Sequence, residues 1–203
     1  MSHAPIGSLL VVLGFLAGSI PFGFVIARLF LGVDVRDVGS GNIGATNVAR
    51  AGGKGVGVVV LLLDVAKAVL PMLAARALLR GEPSGETWVV LVGLAAFLGH
   101  LFTPWLGFRG GKGVATGLGV FLVLSPVAAL AGVVTFAVAY GATRMSSVGS
   151  LSGTAACAAV TFLVAAPSSP TAWAGLALAA LIFLRHRENI GRILRGEERK
   201  MRV

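Results

Sequence analysis

The sequence predicts an all-α integral membrane protein. The expected fold is a bundle of seven transmembrane helices, some short or kinked, with the N-terminus outside and the C-terminus in the cytoplasm. Three observations carry this. Apolar residues are 56% of the chain and charged residues 12%, about half the charged share of soluble domains, and the mean hydropathy is +0.91. A soluble fold of 203 residues cannot hide that much apolar surface. The apolar residues also fall in long uniform runs, whereas a transmembrane β-barrel needs short alternating segments. Finally, the basic residues are shared unequally between the two sets of loops.

A spanning helix needs about 20 apolar residues. In order, the runs are 6–31, 56–79, 87–106, 114–124, 127–142, 151–166 and 171–184. The first lacks a basic leading segment and outlasts the apolar core of a signal peptide, so it reads as a span and not a cleaved leader. Gly18-Ser-Ile-Pro21-Phe-Gly23 predicts a kink inside it. Only Ser125-Pro126 separates the fourth run from the fifth, and one kinked helix over 114–142 would leave six spans.

Charge decides between these counts. With seven spans, one side receives Arg36, Arg50, Lys54, Arg109, Lys112, Arg144, Arg185, Arg187, Arg192, Arg195, Arg199, Lys200 and Arg202, thirteen of the seventeen basic residues. The other side holds Arg80 and the span-end Arg76, beside Glu82 and Glu86. The positive-inside rule puts the thirteen in the cytoplasm, and a single helix over 114–142 would spoil that asymmetry. The chain therefore reads as one membrane-embedded domain, 1–203, with a basic cytoplasmic tail, 185–203, facing anionic lipid. The net charge of +9 has this explanation and implies no nucleic acid. Cys157 stands alone in an apolar run, which excludes a disulfide scaffold.

The purposeful polar residues collect in four cytoplasmic segments, 34–55, 99–116, 144–150 and 185–195, as suits an enzyme working at one face of the membrane. The first contains Gly39-Ser-Gly-Asn-Ile-Gly-Ala-Thr-Asn47 and Arg50. Its glycine spacing matches a dinucleotide-binding fingerprint, and Asp64 follows at the right distance. That motif needs a strand before it and a βαβ unit around it, and here a membrane helix precedes it. What remains is an anion site built from backbone N–H groups. Ser40, Asn42, Thr46 and Asn47 add neutral donors and Arg50 adds a phosphate-matching fork; a plain capped polar loop is the alternative.

In the second segment, Gly110-Gly-Lys112-Gly113 opens a helix, as an anion site or as close packing with an anchoring Lys. Gly52-Gly-Lys-Gly-Val56 echoes Gly110-Gly-Lys-Gly-Val114, so two such helix starts are expected. In the third, Arg144, Ser147 and Ser150 would share a helix face, unless the serines are caps. In the fourth, His186 and Asn189 align if helical, and Arg192 onward reads as solvated tail. Asp64 and Lys67 lie within the membrane, where ionisable residues point to function; a mutual ion pair is the favoured reading. His100 is either a packing residue or part of the site.

These motifs, in this order along nearly the whole chain, resemble the bacterial acyl-phosphate:glycerol-3-phosphate acyltransferase family. The resemblance implies a seven-helix inner-membrane enzyme. It would transfer a fatty acyl group from acyl phosphate to the 1-hydroxyl of glycerol 3-phosphate, releasing lysophosphatidic acid and phosphate in phospholipid synthesis. It implies no metal and no cofactor; a monomer would suffice. On this basis Ser40, Gly41, Asn42, Thr46, Gly110 and Gly111 would cradle the acyl phosphate through backbone N–H and hydroxyl donors. Arg50 and Lys112 would hold glycerol 3-phosphate with Ser150 and His186, and Asn189 would orient the attacking hydroxyl. Lys112, His186 and Asn189 form the expected catalytic set. The proton acceptor is the substrate phosphate or His186. The competing class is a transporter of a small organic phosphate, since glycine-rich starts of broken helices also bind anions there; no inverted repeat is visible in the sequence.

Overall fold

The computed structural model describes residues 4–201; His3, which carried no functional expectation, and Arg202 of the tail lie outside the described residues. Among the described residues all regular structure is helical. The chain divides into two compact units, one ending at Val123 and one beginning at Leu124.

The first unit contains α1 (Ala4–Ser19), α2 (Phe22–Phe30), α3 (Ala45–Gly52), α4 (Lys54–Leu78), α5 (Gly85–Leu101) and α6 (Val114–Leu124). Gly7, Gly14 and Gly18 of α1 lie against Trp88, Val92 and Ala96 of α5, and Gly99 of α5 lies against the backbone of Phe15 and Ser19. Lipid offers no hydrophobic drive for two such helices to meet, so small residues that let the backbones approach supply the packing.

The expected kink is a complete interruption. Helix α1 stops at Ser19 and α2 starts at Phe22, because Pro21 has no N–H to donate and disfavours helical geometry at Ile20. The Ser19 carbonyl accepts from Thr103 Oγ1 at 2.6 Å, and the Ile20 carbonyl accepts from Lys67 Nζ at 2.9 Å. Lys67 Nζ also lies 2.8 Å from Asp64 Oδ1 and 2.8 Å from His100 Nδ1. The ammonium thus bonds to a carbonyl and a ring nitrogen and is neutralised by the Asp64 carboxylate as an ion pair. The expected Asp64–Lys67 ion pair is thus present, with side chains only 3% and 2% exposed, and it recruits two further elements.

The second unit contains α7 (Pro126–Thr143), α8 (Ser146–Val164), α9 (Pro170–Arg185) and α10 (Arg187–Leu194). At the α7–α8 seam Gly132 faces the Gly153 carbonyl and Cys157, and Gly149 meets the Phe136 ring. Helix α9 packs on α8, and Ser169 caps its start by accepting from the Ala172 N–H at 3.3 Å.

Each of the seven expected runs is helical over most of its length. The 114–142 stretch is two helices, interrupted at Ser125 with Pro126 at the first position of α7. The third run was expected to be helical to 106, but α5 ends at Leu101 and a 3₁₀ turn, Pro104–Leu106, follows. Among the described residues five helical stretches are long and apolar enough to cross a membrane: Ala4–Phe30 (α1 and α2 together), Lys54–Leu78, Gly85–Leu106, Pro126–Thr143 and Ser146–Val164. Val114–Leu124 and Pro170–Arg185 are apolar but shorter. The surface is inverted relative to a soluble protein. Leu9, Leu62, Leu70, Leu163 and Leu184 are exposed while Asp64, Lys67, His100, Ser147, His186 and Asn189 are buried.

Asp64→Ala leaves a buried ammonium short of its anion, and we expect a loss of about 3–5 kcal/mol as a lowered unfolding midpoint in detergent. The paired Asp64→Leu/Lys67→Met variant removes both charges and should unfold closer to wild type.

Candidate functional site

The 39–47 loop is a built structure. It is entered through a 3₁₀ turn, Val35–Asp37, whose start is capped by Asp34. Hydrogen bonds from the Arg36 side chain and backbone hold the Asp34 carboxyl at about 2, below its ordinary value. Gly39 and Gly41 then take left-handed conformations, with φ of +56° and +69°, which cost a side-chain-bearing residue but not glycine. Asn47 pins the turn from the first helical turns of α3. Its Oδ1 accepts from the Ser40 N–H at 2.8 Å, and its Nδ2 donates to the Val35 and Val38 carbonyls at 2.9 and 2.8 Å. A methyl at Gly39 would strike Asn47 Oδ1 and lie 3.4 Å from Arg50 Cδ, so the Arg50 side chain runs along this loop.

These bonds decide which N–H groups can serve a ligand. Ser40 N–H is given to Asn47, Gly41 N–H to the Val38 carbonyl at 3.0 Å, and Gly44 N–H to Asn42 Oδ1 at 2.9 Å. The backbone N–H groups of Ser40 and Gly41, expected in the cradle, are thus engaged within the protein. The Ser40 and Thr46 hydroxyls and the Asn42 amide are the donors this loop offers. The first N–H groups of α3, at Ala45 and Thr46, add to them because they lie beyond the reach of any intrahelical carbonyl.

The second glycine segment also spends its N–H groups internally. Gly110 N–H donates to the Leu101 carbonyl and Gly111 N–H to the His100 carbonyl, each at 3.1 Å. These bonds fold the chain after α5 back onto that helix's end. A methyl at Gly110 would strike the His100 carbonyl, and one at Gly111 would strike the His100 ring at Nε2. Here close packing explains the glycines. Because the Lys67 ammonium can only donate, His100 Nδ1 accepts and Nε2 carries the ring proton on the side of Gly111. His100 is thus both packed and part of the loop's support. The echo between 52–56 and 110–114 is not structural repetition. Gly53 precedes a helix that begins at Lys54, whereas Lys112 stands two residues before the start of α6.

The motifs at 18–23, 39–47 and 99–116 meet at the Ile20–Pro21 interruption. Thr103 and Trp105 bond to Ser19, Lys67 joins Ile20 to His100, and Gly23 lies against the Ile43 carbonyl and the Val48 side chain. Arg50 stands in α3, the helix that follows one of the loops so anchored, and Lys112 lies in the other loop.

In the second unit the expected alignment of Arg144 with Ser147 and Ser150 on one helix face fails. Arg144 is the left-handed cap of α7, with φ of +61°, and α8 begins only at Ser146. Neither serine acts as a cap, since Met145 occupies that position without a side-chain bond. The Ser147 hydroxyl donates to Glu198 Oε1 at 2.8 Å. His186 is the junction of α9 and α10, with Nδ1 at 2.8 Å from the Ile182 carbonyl. A carbonyl only accepts, so Nδ1 holds a proton and Nε2 is the basic nitrogen of the neutral ring. Asn189 Nδ2 donates to Glu198 Oε1 at 2.6 Å, and Arg192 Nε donates to Glu198 Oε2 at 2.7 Å.

The tail is accordingly ordered where a solvated stretch was expected: Glu198 returns onto α8 and α10, and Met201 N–H donates to the Arg144 carbonyl at 2.9 Å. Burial pushes the Glu198 carboxyl up, and the hydrogen bonds from Asn189, Ser147 and Arg192 outweigh that and hold it below its ordinary value. Its bonds therefore persist through neutral pH and are lost only as pH falls through the lowered value. Sequence reasoning passed over Glu198. Its signal is an acidic pair, Glu197-Glu198, inside an otherwise basic tail.

Residues 8–196 match the family model described as glycerol-3-phosphate acyltransferase. A glycerol-3-phosphate acyltransferase of Anaeromyxobacter sp. (strain Fw109-5) is 70% identical over 203 residues, covering 100% of both chains. That of Myxococcus xanthus (strain DK1622) is 51% identical over 195 residues, covering 95% of this chain and 98% of the relative. Two crystal structures of PlsY (YgiH), an integral membrane glycerol 3-phosphate acyltransferase, are also similar. The glycerol 3-phosphate form has a TM-score of 0.89 at 41% identity, covering 97% of this chain and 96% of that one. The lysophosphatidic acid form has a TM-score of 0.87 at 40% identity, covering 97% and 95%.

Asn47→Ala removes three hydrogen bonds at a buried position, and we expect a loss of about 1–3 kcal/mol. Limited proteolysis should then cut within residues 39–44 faster than in wild type.

Proposed function

The chain belongs to the glycerol-3-phosphate acyltransferase family and is an enzyme of that kind, and we propose that its acyl donor is acyl phosphate. In the proposed reaction the 1-hydroxyl oxygen of glycerol 3-phosphate attacks the acyl carbonyl carbon. The bond from that carbon to the phosphate oxygen breaks, and phosphate leaves with its electron pair. The hydroxyl proton passes to a substrate phosphate. The products are 1-acyl-glycerol 3-phosphate and inorganic phosphate. The finer topology belongs to the same proposal: seven crossings, N-terminus outside, C-terminus and active face in the cytoplasm of a bacterial plasma membrane, with a monomer as the functional unit.

The observation that carries this reading is the convergence of three motif segments on one helix interruption, which holds two glycine loops and their cations Arg50 and Lys112. Both substrates are phosphate esters or anhydrides, and a guanidinium fork with neutral hydroxyl donors suits them. Ser40, Asn42 and Thr46, with the start of α3, would receive the acyl-phosphate group, and Gly41, Gly110 and Gly111 would shape its cradle rather than donate. Arg50 and Lys112 would bind the glycerol-phosphate anion. Ser150 and His186 would assist binding and Asn189 would orient the hydroxyl. Lys112, His186 and Asn189 are proposed as the catalytic residues.

Purified protein offered palmitoyl phosphate, palmitoyl-CoA and palmitoyl carrier protein separately, with labelled glycerol 3-phosphate, tests the donor. Labelled lysophosphatidic acid from palmitoyl phosphate alone is the expected result; equal product from palmitoyl-CoA would overturn the choice. Lys112→Ala should lower kcat/KM by about 100-fold or more, and near wild-type turnover would refute its role. His186→Ala should raise mainly KM for glycerol 3-phosphate, and the wild-type rate should stay level across the ordinary histidine range near pH 6.5. A rate that falls with a single step there would make His186 the base instead.

A further inference from the structure

We propose that Glu198 is a positioning residue for acyl transfer: it locks the Asn189 side-chain amide in one orientation and so fixes which end of that amide meets the reacting hydroxyl. The inference rests on the role proposed above for Asn189. An asparagine amide has two nearly isosteric ends, an oxygen that accepts and an NH₂ that donates. Only one orientation suits an attacking hydroxyl, whose proton must be held by an acceptor while its oxygen turns toward the acyl carbon. A carboxylate can only accept. With Glu198 Oε1 2.6 Å from Asn189 Nδ2, the flipped amide would set two oxygens against each other, so the amide oxygen is the end that faces away from the clamp.

The clamp is itself held in place. Glu198 has a side chain 5% exposed, and its carboxylate accepts from three donors. Ser147 and Asn189 bond to Oε1, and Arg192 bonds to Oε2. Those donors come from α8 and α10, which the carboxylate ties together. The neighbouring Arg195–Glu197 pair is of a different kind, with side chains 60% and 58% exposed, as expected of a surface contact with little effect.

The test is a double-mutant cycle in the full-length protein, with palmitoyl phosphate and glycerol 3-phosphate as substrates. Glu198→Gln keeps the size of the side chain but can turn its own NH₂ toward Asn189, which frees the amide to flip. Glu198→Gln should lower kcat by about tenfold with KM for glycerol 3-phosphate within about twofold. In an Asn189→Ala background the same change should lower kcat by less than about twofold, because no amide remains to orient. Glu197→Gln, on the exposed pair, should match wild type. If the losses multiply in the double variant, Glu198 supports the fold and does not act through Asn189. If Glu198→Gln equals or exceeds wild type, the carboxylate is no positioning group. Either result overturns the proposal. If Glu198→Gln does not fold, Glu198→Asp, which withdraws the oxygens by one methylene, is carried through the same cycle with the same two readings. A wild-type protein that acylates nothing would instead overturn the proposed function, so the two failures are distinct.

Discussion

Lys67 is a buried ammonium in a helix apolar enough to cross a membrane, and the first unit is arranged around its three polar contacts. One of them, the Asp64 carboxylate, lies on the same helix. The other two must come from elsewhere. A regular helix cannot lend a backbone carbonyl to a side chain without weakening its own ladder, and the Ile20–Pro21 interruption makes one available. The third is His100 Nδ1, which commits the ring's other nitrogen to the side of Gly111. A buried ion pair is weak evidence of stability, since apolar replacements are often as stable. Its better-attested use is to fix register, and here one cation sets α4, the α1–α2 break and α5 in a single arrangement.

That arrangement reaches both glycine loops. Gly111 abuts the imidazole that Lys67 orients, and Gly23, just beyond the break, abuts the carbonyl of Ile43 in the other loop. A loop that must bind a phosphate without reorganising cannot rely on glycine alone, because glycine adds freedom as well as access. Rigidity comes from spending backbone N–H groups internally, on Asn47, Asn42 and the carbonyls of Val38, His100 and Leu101. The consequence is that the ligand-facing donors are side-chain hydroxyls, an amide, a helix start and cations. The glycines provide shape.

Much of this was legible in the sequence. Long apolar runs gave the helices, Ser125-Pro126 marked a true interruption, and the three-residue spacing of Asp64 and Lys67 predicted their pair. Five motif segments carried the family resemblance. What could not be read was the destination of individual hydrogen bonds. Glycine spacing announces a close approach but not whether a ligand or a histidine ring occupies it, so Gly110 and Gly111 read equally as an anion site or as packing, and only the family resemblance makes them donors. Periodicity placed Arg144 in line with Ser147 and Ser150, and nothing local reveals that Arg144 adopts a left-handed cap. Glu198 sits in a stretch whose composition says solvated tail; its contacts with Ser147 and Asn189 span 51 and 9 residues, beyond any local pattern.

The protonation chemistry narrows further once the Glu198 contacts are considered. Acyl phosphate is already activated, so the proposed reaction needs no nucleophilic serine, only a proton acceptor for the glycerol hydroxyl and an exact placement of that hydroxyl. Asn189 can hold the proton in a hydrogen bond but cannot take it at neutral pH. The carboxylate bonded to Asn189, that of Glu198, is engaged by three donors, and their bonds lower its affinity for a proton. A base needs the reverse, a raised pKa near the working pH. Glu198 is therefore suited to orient and unsuited to accept. A phosphate dianion has a second pKa near 6 and arrives with the substrate. It fits the remaining role without asking the protein to bury another charge.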